Sequence, residues 1–474
     1  MTMRLINILL PFVVLACTPG STDSAGSGQD DAVNVDVDSL SWTVHDDIGS
    51  LVYVTWNQTD NAAVHVEYSF DADVWLSSPT IDAVTGTNET LLAGIPYALT
   101  AEWRVVVENG NTFPGSTITT DDAPFGLPLP ELRASNPEAW FDGGNYLLMS
   151  INRDAGHGWN GGEYWTVIVD RQGRPVWAHA APDGNWTLFT QISVTGDYFL
   201  WDEATAWSKW DDGRGSTVHR TYLDEEIDEV ATPGLHHAFV QLPDESIVWG
   251  SKDHGGREAL VKKGPAEDGD GTVIWSCQAD WPGAQNCESN GLFYKPKTDT
   301  FLYSFYTNNS VVEIDHQTGE SLWWAGENNN NDSGRKYSFS PSDSQFNWQH
   351  GVWSTDEGTM LVSTQSWVPG DWSGYDSGST IVREYIINHD DKQLESIWSY
   401  ESNVYAPYNG DSMRLANGNT LHVIGCAGHV KEVDPDGETV WHIDYNGMHN
   451  QGHAEFIEDL YTLVSPSPSA SQDP

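Results

Sequence analysis

The sequence predicts an all-β protein, with a small β-sandwich over residues 38–121 followed by a six-bladed β-propeller over residues 122–462. Two observations lead to this prediction. Apolar and polar residues alternate in short runs between turn residues, and a hydrophobic strand recurs at intervals of about 50 to 60 residues. The composition agrees, because 44 Gly and 23 Pro indicate many turns, and 474 residues exceed what one compact core usually holds.

The first β region contains the runs "LVYVTWNQTD", "VHVEYSF" and "NETLLAGIPYALTAEWRVVVEN". Their period of two is typical of strands with one buried face. Trp56, Tyr68, Leu92 and Trp103 fall where a small sandwich needs its core. The pattern resembles a fibronectin type III domain, which we interpret as a spacer.

The second β region repeats two kinds of strand. The first kind recurs as "GGNYLLMS", "GDYFLW", "DESIVWG", "TDTFLYS", "EGTMLVS" and "NGNTLHV", and six copies predict six blades. The second kind places a branched residue or Leu before a tryptophan. We interpret these tryptophans as packing between blades: Trp177, Trp275, Trp323, Trp398 and Trp441.

The N-terminus predicts export. "MTMRLINILLPFVVLAC" carries one cationic residue and an apolar run too short to span a bilayer, so residues 1–17 are expected to be a signal peptide. The run ends at Cys17 and resembles a bacterial lipoprotein box, in which that cysteine is acylated; an ordinary cleavage site with an incidental cysteine is the alternative. Thr18 after the cysteine favours an outer-membrane lipoprotein facing the periplasm or cell surface. Residues 18–37 are an expected acidic Gly/Ser linker and 463–474 a disordered tail.

Charge and cysteine content narrow the function. Asp and Glu outnumber Lys and Arg by 69 to 21, for a net charge of −48, so nucleic acid is not an expected partner. In an exported protein the short loop from Cys277 to Cys287 predicts a disulfide, with Cys426 left as a buried free thiol. The absence of a Cys-x-x-Cys pair gives no support for a zinc ribbon, and no metal site is predicted.

The propeller architecture indicates where reactive residues should meet. Each blade contributes one loop to a central channel, so side chains just before the inner strands of different blades converge. Three positions fit: His236 with His237, the segment from Glu288 to Asn290, and His350.

These blades resemble a known family. "LHHAFVQLPD", "NGLFYKPKTDTFLYSFYTNNSVVEIDHQTGESLWW", "FNWQHGVWSTDEGTMLV" and "GDSMRLANGNTLHVIGCAGHVKEVDPDGETVW" are similar to bacterial arylsulfotransferases, and the resemblance covers most of residues 122–462. It implies an exported enzyme, without a cofactor, that transfers a sulfuryl group from an aryl sulfate to a phenol. His350, in the Gln-His pair, matches the histidine that becomes a transient sulfohistidine.

The resemblance also implies roles for neighbouring residues. His237 or His236 would protonate the leaving phenolate or bind a sulfuryl oxygen, and Asn290 would bind such an oxygen. Trp348 and Tyr306 are candidates for stacking on the phenolic ring. The chemistry fits independently, because a neutral imidazole can attack a sulfur that three anionic oxygens shield.

The sequence departs from the family at the fourth blade. The family has His-x-Asn-Ser followed one strand later by Ser-x-Arg, whereas this chain has Glu288 in place of the histidine and Tyr306 in place of the arginine. A carboxylate about 5 Å from a sulfate would repel it by roughly 3 kcal/mol at an effective dielectric of ~20. Arg335 and Arg383 are candidate replacement cations.

Three interpretations follow from the sequence. The first is an arylsulfotransferase-like lipoprotein, and the second is a catalytically altered propeller of the same descent that binds a ligand or partner at the cell surface. The third, a quinone-dependent dehydrogenase, fits less well because vicinal cysteines and a dense cationic pocket are not evident. The sequence leaves open the oligomeric state, the acceptor phenol, and which of His236 and His237 faces the channel.

Overall fold

The computed structural model describes residues 35–71, 74–108, 110–153, 163–182, 185–205, 216–254, 257–281, 287–327, 334–366 and 378–466. The predicted signal peptide with Cys17, most of the linker and the last eight residues of the tail (467–474) lie outside these ranges. Strands dominate the described chain, so the prediction of an all-β protein is confirmed. The fibronectin type III identity and the number of blades stay predictions.

The N-terminal region folds into two antiparallel sheets around one core. Its strands are β1 (Val37–Val44), β2 (Val52–Gln58), β3 (Ala62–Asp71), β4 (Val74–Ser77), β5 (Ile81–Ala83), β6 (Gly86–Leu92), β7 (Thr100–Val107), β8 (Thr112–Pro114) and β9 (Ile118–Thr119). One sheet has the order β1-β2-β6 and the other β4-β3-β7-β8, with β5 beside β3 and β9 beside β7. Trp56, Tyr68, Leu92 and Trp103, predicted as core residues, are buried together between these strands.

The larger region begins with strands β10 (Glu131–Ser135), β11 (Tyr146–Asn152), β12 (Tyr164–Asp170), β13 (Pro175–Ala180), β14 (Asn185–Trp186), β15 (Thr190–Ile192), β16 (Phe199–Thr205), β17 (Thr217–Thr221), β18 (Glu226–Ala231), β19 (Leu235–Gln241), β20 (Ile247–His254), β21 (Arg257–Lys263) and β22 (Thr272–Ser276). A short helix, α1, follows (Cys277–Asp280).

The remaining strands are β23 (Ser289–Lys295), β24 (Thr300–Phe305), β25 (Ser310–Asp315), β26 (Ser321–Gly326), β27 (Lys336–Ser340), β28 (Val352–Ser354), β29 (Met360–Gln365), β30 (Thr380–Asn388), β31 (Gln393–Glu401), β32 (Asp411–Arg414), β33 (Thr420–Ile424), β34 (His429–Val433), β35 (Thr439–Asp444) and β36 (Ala454–Ile457). Single 3₁₀ turns occupy Tyr306–Asn308, Gly425–Ala427 and Leu460–Leu463.

Most of these strands form successive antiparallel units in which neighbours along the chain are paired, whereas β27 pairs in parallel with β26 and β31. Examples are β19-β20-β21-β22, β23-β24-β25-β26 and β32-β33-β34-β35. The first and last strands close the arrangement, because β10 pairs with β35 and β36 pairs with β11. The recurrent hydrophobic segments become β11, β16, β20, β24, β29 and β33, and the recurrent tryptophans lie on β13, β22, β26, β31 and β35. The two repeated sequence elements therefore form two different strands of the repeating unit.

The sandwich packs directly against the larger region. Ile48 and Leu51 share a buried cluster with Trp177 of β13 and Leu460. Hydrogen bonds join the two parts as well: Ser50 Oγ donates to the Val176 carbonyl at 2.6 Å, and the Tyr68 and Tyr461 hydroxyls lie 3.1 Å apart. The sandwich thus has a shared apolar core with the propeller-like region, beyond what a spacer requires.

The cysteines lie where the disulfide hypothesis places them. A disulfide joins Cys277, at the start of α1, to Cys287, and Cys426 is a buried free thiol. Burial raises the pKa of Cys426 to about 12, so the thiol is protonated. Within the described ranges, none of the helices has the length and apolar character needed to cross a membrane.

Candidate active site

The candidate site lies where the chain enters the inner strands β19, β23 and β28. Their backbones approach closely: a Cβ atom placed on Gly291 of β23 would lie 3.0 Å from the Gly351 Cα atom just before β28. Only glycine at these two positions allows that approach, and Gly351 also has a left-handed φ of 79°. Residues next to these glycines, far apart in sequence, are thereby brought together.

His350 is buried, with 4% of its surface exposed. Its backbone N–H donates to the Ser363 carbonyl at 2.9 Å, which fixes it beside β29. Its Nδ1 lies 3.1 Å from the Trp348 carbonyl oxygen. Because a carbonyl can only accept a hydrogen bond, Nδ1 carries the proton and Nε2 keeps the lone pair. Burial lowers the pKa of His350 to about 4, so the ring is neutral at ambient pH.

Tyr306 and Glu288 form a hydrogen-bonded pair beside His350. The Tyr306 ring stacks on the His350 ring with centroids 5.5 Å apart, and its hydroxyl donates to Glu288 Oε2 at 3.0 Å. Burial and the Glu288 charge raise the pKa of Tyr306, which keeps the hydroxyl a neutral donor. Trp348 completes this aromatic side, with its ring centroid 6.3 Å from that of Tyr306.

Lys252, on β20, brings a cation to the same place. Its Nζ lies 3.8 Å from Glu288 Oε1, and only 10% of its side chain is exposed. Burial is the largest cause that lowers the pKa of His237, and electrostatic coupling to His236, His350 and Lys252 lowers it further, so His237 is neutral and within electrostatic reach of these groups. The structure thus assembles an ammonium, a carboxylate and neutral imidazoles around Tyr306.

A bulge in β19 turns both adjacent histidines toward the cluster. The register with β20 shifts between Leu235 and Phe239, and His237 adopts a left-handed φ of 66°. Regular strand geometry would send His236 and His237 to opposite faces, but their rings meet edge to face with centroids 4.2 Å apart. The two rings therefore lie together, with His236 beside Glu258 and His237 within electrostatic reach of His350.

The buried carboxylate of Glu258 contacts the His236 ring. This carboxylate is 1% exposed, and one oxygen lies 2.9 Å from His236 Nδ1 while it accepts a hydrogen bond from the Ser289 backbone N–H at 2.7 Å. The other oxygen accepts from the Tyr303 hydroxyl at 2.6 Å. Burial raises the pKa of Glu258, while Lys252 and these hydrogen bonds oppose that effect.

Asn290 supports the loop that carries His350. Its side-chain N–H donates to the Gln349 carbonyl at 2.5 Å, and its oxygen accepts from Ser304 Oγ at 3.2 Å. Gln349 in turn donates to the Phe305 and Ser310 carbonyls. One N–H of the amide that the resemblance assigns to a sulfuryl oxygen therefore helps to position the Gln-His pair.

The two arginines proposed as replacement cations lie elsewhere. Arg335 donates to the Ser321 carbonyl on the outer strand β26 and pairs with Glu320. Arg383 lies within β30, the third strand of its unit, opposite Val362. The described contacts of both arginines are with strands other than β19, β23 and β28, whereas Lys252 lies beside Glu288.

Sequence reasoning missed Lys252 and Glu258. Both belong to strands that the repeat pattern assigns to general packing, and neither matches a family motif quoted above. Little in the sequence marks them, because β20 and β21 each carry other polar or charged residues.

The fold and site together define a propeller-like all-β protein with a histidine cluster at the entry of its inner strands. Residues 257–456 match the model of the arylsulfotransferase (ASST) family. This match confirms the family resemblance and contains Glu288, Asn290, Tyr306 and His350, whereas His236, His237 and Lys252 precede it.

Solved structures with a similar fold share little sequence with this chain. A protein of unknown function from Bacteroides caccae is 15% identical, covering 65% of this chain and 97% of its own, with a TM-score of 0.41. The β-propeller domain of Cps50 (Swd1) from Myceliophteria thermophila is 13% identical, covering 68% and 91%, with a TM-score of 0.37. Hydrazine synthase from Kuenenia stuttgartiensis is 13% identical, covering 66% and 78%, with a TM-score of 0.38. No curated protein gives a significant sequence match.

Proposed function

We propose that this protein transfers a sulfuryl group from an aryl sulfate to a phenolic acceptor, with His350 as the nucleophile. The observation that carries the proposal is the state of His350: a buried, neutral ring whose Nδ1–H is held by the Trp348 carbonyl, so that Nε2 offers its lone pair. The family match over residues 257–456 supports the same reaction class.

The proposed sulfuryl transfer has two steps. Nε2 of His350 attacks sulfur, the N–S bond forms, and the bond between sulfur and the aryl oxygen breaks to release a phenolate that takes up a proton. The acceptor phenol then attacks the same sulfur, its proton goes to a base, and the N–S bond breaks to regenerate neutral His350. Lys252 is the cation available to stabilise the sulfuryl oxygens as their charge shifts.

We assign proton transfer to the adjacent histidines. Glu258 Oε1 lies 2.9 Å from His236 Nδ1, and this contact orients the His236 ring. His237 is electrostatically coupled to His236 and His350, and its lowered pKa keeps the ring neutral, which suits a group that hydrogen-bonds a phenol. The aromatic rings of Tyr306 and Trp348 suit the phenolic ring of either substrate.

A specific observation favours a second function. Glu288 accepts a hydrogen bond from Tyr306 and lies 3.8 Å from Lys252, so this cation is already partly neutralised. A site of this charge would take a neutral or cationic ligand as readily as a sulfate. The second candidate is therefore a surface lipoprotein that binds such a ligand without transferring sulfate.

Turnover of p-nitrophenyl sulfate with phenol as acceptor tests the proposal, using the chain without residues 1–17. Phenol-dependent release of p-nitrophenol by the unaltered protein, absent from His350→Ala, is the expected result. His389→Gln is the matched control, because His389 is exposed and bonds to Tyr337 on β27. Equal release by the unaltered protein and His350→Ala would reject His350 as nucleophile, and no release by either folded protein would favour the second candidate.

We also propose that the protein acts outside the cytoplasm, anchored through Cys17 to the outer membrane. The lipoprotein-like N-terminus and the disulfide between Cys277 and Cys287 support this proposal. Metabolic labelling with a fatty acid tests it: label should enter the unaltered protein and be missing from Cys17→Ser, and equal labelling would contradict it.

A further inference from the structure

A cluster of potential metal ligands lies on the sheet with the order β14-β16-β17-β18, which contributes none of the candidate active-site residues. Within the described ranges, His219 of β17 and Glu226 and Glu229 of β18 bring one nitrogen and two carboxylate oxygens within 4.8 Å of one another. Imidazole and carboxylate groups are ligands of divalent transition-metal ions. These atoms therefore have the composition of a metal site, which the sequence alone did not predict.

A β-bulge in β18 places both glutamates on the same side as His219. His219 lies opposite Glu229, and the register shifts before the next pair, Thr221 with Glu226. Residues three apart on a regular strand point to opposite faces of the sheet. The extra residue at the bulge, Ile227, brings Glu226 onto the face that carries Glu229. The backbone of β18 thus assembles the ligand set.

The ring of His219 is held in one orientation. It is 7% exposed, and the Trp201 ring on the neighbouring strand β16 stacks on it with centroids 4.0 Å apart. Its Nε2 lies 3.2 Å from Glu203 Oε2, and Asn185 donates to the other oxygen of Glu203. A carboxylate at the second ring nitrogen is the common partner of a metal-binding histidine, because it fixes the tautomer and the ring orientation. Nδ1 then faces the glutamates of β18, 2.7 Å from Glu226 Oε1.

The charges of this cluster do not cancel. Three carboxylates, those of Glu203, Glu226 and Glu229, surround one imidazole, and none of them pairs with a Lys or Arg of the described residues. Even with His219 protonated, the cluster keeps two uncompensated negative charges. A divalent cation at this place would neutralise them at short range.

The present distances require only a small adjustment to hold an ion. His219 Nδ1 and Glu226 Oε1 lie 2.7 Å apart. Two ligands of a tetrahedral zinc ion at ~2.1 Å lie about 3.4 Å from each other, so the two atoms must separate by roughly 0.7 Å. The Glu226 side chain is 50% exposed and is free to make this movement. On binding, the bond from the metal to Nδ1 replaces the Nδ1–H bond, and the proton goes to solvent.

A cavity of about 340 Å³ adjoins the cluster. It is lined by Glu226 together with Trp201 and His179, and by Asp47 of the N-terminal sandwich. A zinc site with three protein ligands leaves one tetrahedral position for water, and this cavity provides room for that ligand beside Glu226.

We propose that His219, Glu226 and Glu229 bind one divalent transition-metal ion of the zinc type, with Glu203 as the residue that orients the histidine. Calcium and magnesium are disfavoured, because they prefer ligand sets made of oxygen and this set holds an imidazole nitrogen. The ion joins β17 to β18, the edge strand of its sheet, and so stabilises that edge. The proposal goes beyond sulfuryl transfer and does not depend on it.

Isothermal titration calorimetry with zinc chloride tests the proposal, on the chain without residues 1–17 and in excess calcium, which occupies acidic surface sites. We expect one saturable zinc site, with a Kd weakened about tenfold or more in Glu229→Gln and in His219→Gln. His316→Gln is the matched control, because His316 also lies 2.7 Å from a carboxylate, that of Asp299, and should leave the Kd unchanged.

Thermal unfolding gives a second measurement. Zinc should raise the unfolding temperature of the unaltered protein and of His316→Gln, and should have little effect on Glu229→Gln. Glu229 is exposed, so this variant keeps the test decisive if His219→Gln does not fold.

Three results would overturn the proposal: no saturable zinc binding in excess calcium, an unchanged Kd in Glu229→Gln, or an equal weakening in His316→Gln. Failure of this test leaves sulfuryl transfer unaffected, since that reaction is measured separately through His350.

Discussion

The ring of His350 is stacked on that of Tyr306, with centroids 5.5 Å apart, where the family pattern would place an arginine. In place of the positive charge of an arginine, Tyr306 provides an aromatic ring and a hydroxyl group that donates a hydrogen bond to Glu288. For the proposed sulfuryl transfer, the charge that a sulfate needs must then come from another residue, and Lys252 lies 3.8 Å from Glu288 in the described cluster. The predictions below test this redistribution of charge.

Glu288→Gln should raise kcat/KM for an aryl sulfate by about tenfold or more. The carboxylate repels the sulfate by roughly 3 kcal/mol at about 5 Å, and Lys252 offsets part of that repulsion. Steady-state kinetics with p-nitrophenyl sulfate measure the effect. A fall in kcat/KM in a folded variant would mean that Glu288 takes part in the reaction, for example as a proton acceptor.

Lys252→Met should lower kcat/KM for aryl sulfates by about a hundredfold, because it removes the charge opposite the sulfuryl oxygens. Lys252→Arg should recover part of the activity. Lys262→Met is the matched control, since Lys262 lies on the neighbouring strand β21 and pairs with Asp244. Unchanged kinetics in Lys252→Met would show that the sulfate is held by other groups.

Activity should fall as the pH drops through about 4, because the His350 lone pair is then lost to a proton. Burial holds the pKa of His350 below its unfolded value near ~6.5, so the folded state binds fewer protons than the unfolded state between these values. The free energy of unfolding should therefore decrease as the pH falls through this window. Tryptophan fluorescence separates unfolding from loss of catalysis, and an activity limb near pH 6.5 would contradict a neutral, desolvated His350.

His453 should give the opposite dependence at alkaline pH. Burial disfavours its charged form, yet hydrogen bonds to Asp411 and Glu455 raise its pKa to about 10. Its stabilising contribution is complete below the unfolded pKa near ~6.5 and is lost as the pH rises through about 10. Urea unfolding at several pH values should show this loss in the unaltered protein and not in His453→Gln. The same slope in both proteins would exclude a charged His453.

The fold could be predicted from local sequence patterns, whereas the site was predicted only from residues in a few loops before strands. Alternation of apolar residues and the repeated tryptophan strands are local signals, so the strands carrying Trp56 or Trp441 were found correctly. The positions of His237 and Lys252 depend on a β-bulge and on packing between neighbouring strands, which leave little trace in a single sequence. The position of Arg335 was also not predictable from sequence order. The residue precedes His350 in the chain, but its side chain donates a hydrogen bond to the Ser321 carbonyl of strand β26.

Peptide mass spectrometry of the sulfurylated intermediate tests the central claim most directly. The protein is mixed with an aryl sulfate in the absence of acceptor phenol, quenched and digested under alkaline conditions, which preserve an N–S bond. We predict one added SO₃ group on the peptide that contains His350, removed when phenol is supplied and absent from His350→Gln. An unmodified His350 peptide in a protein that still releases phenol would contradict the account.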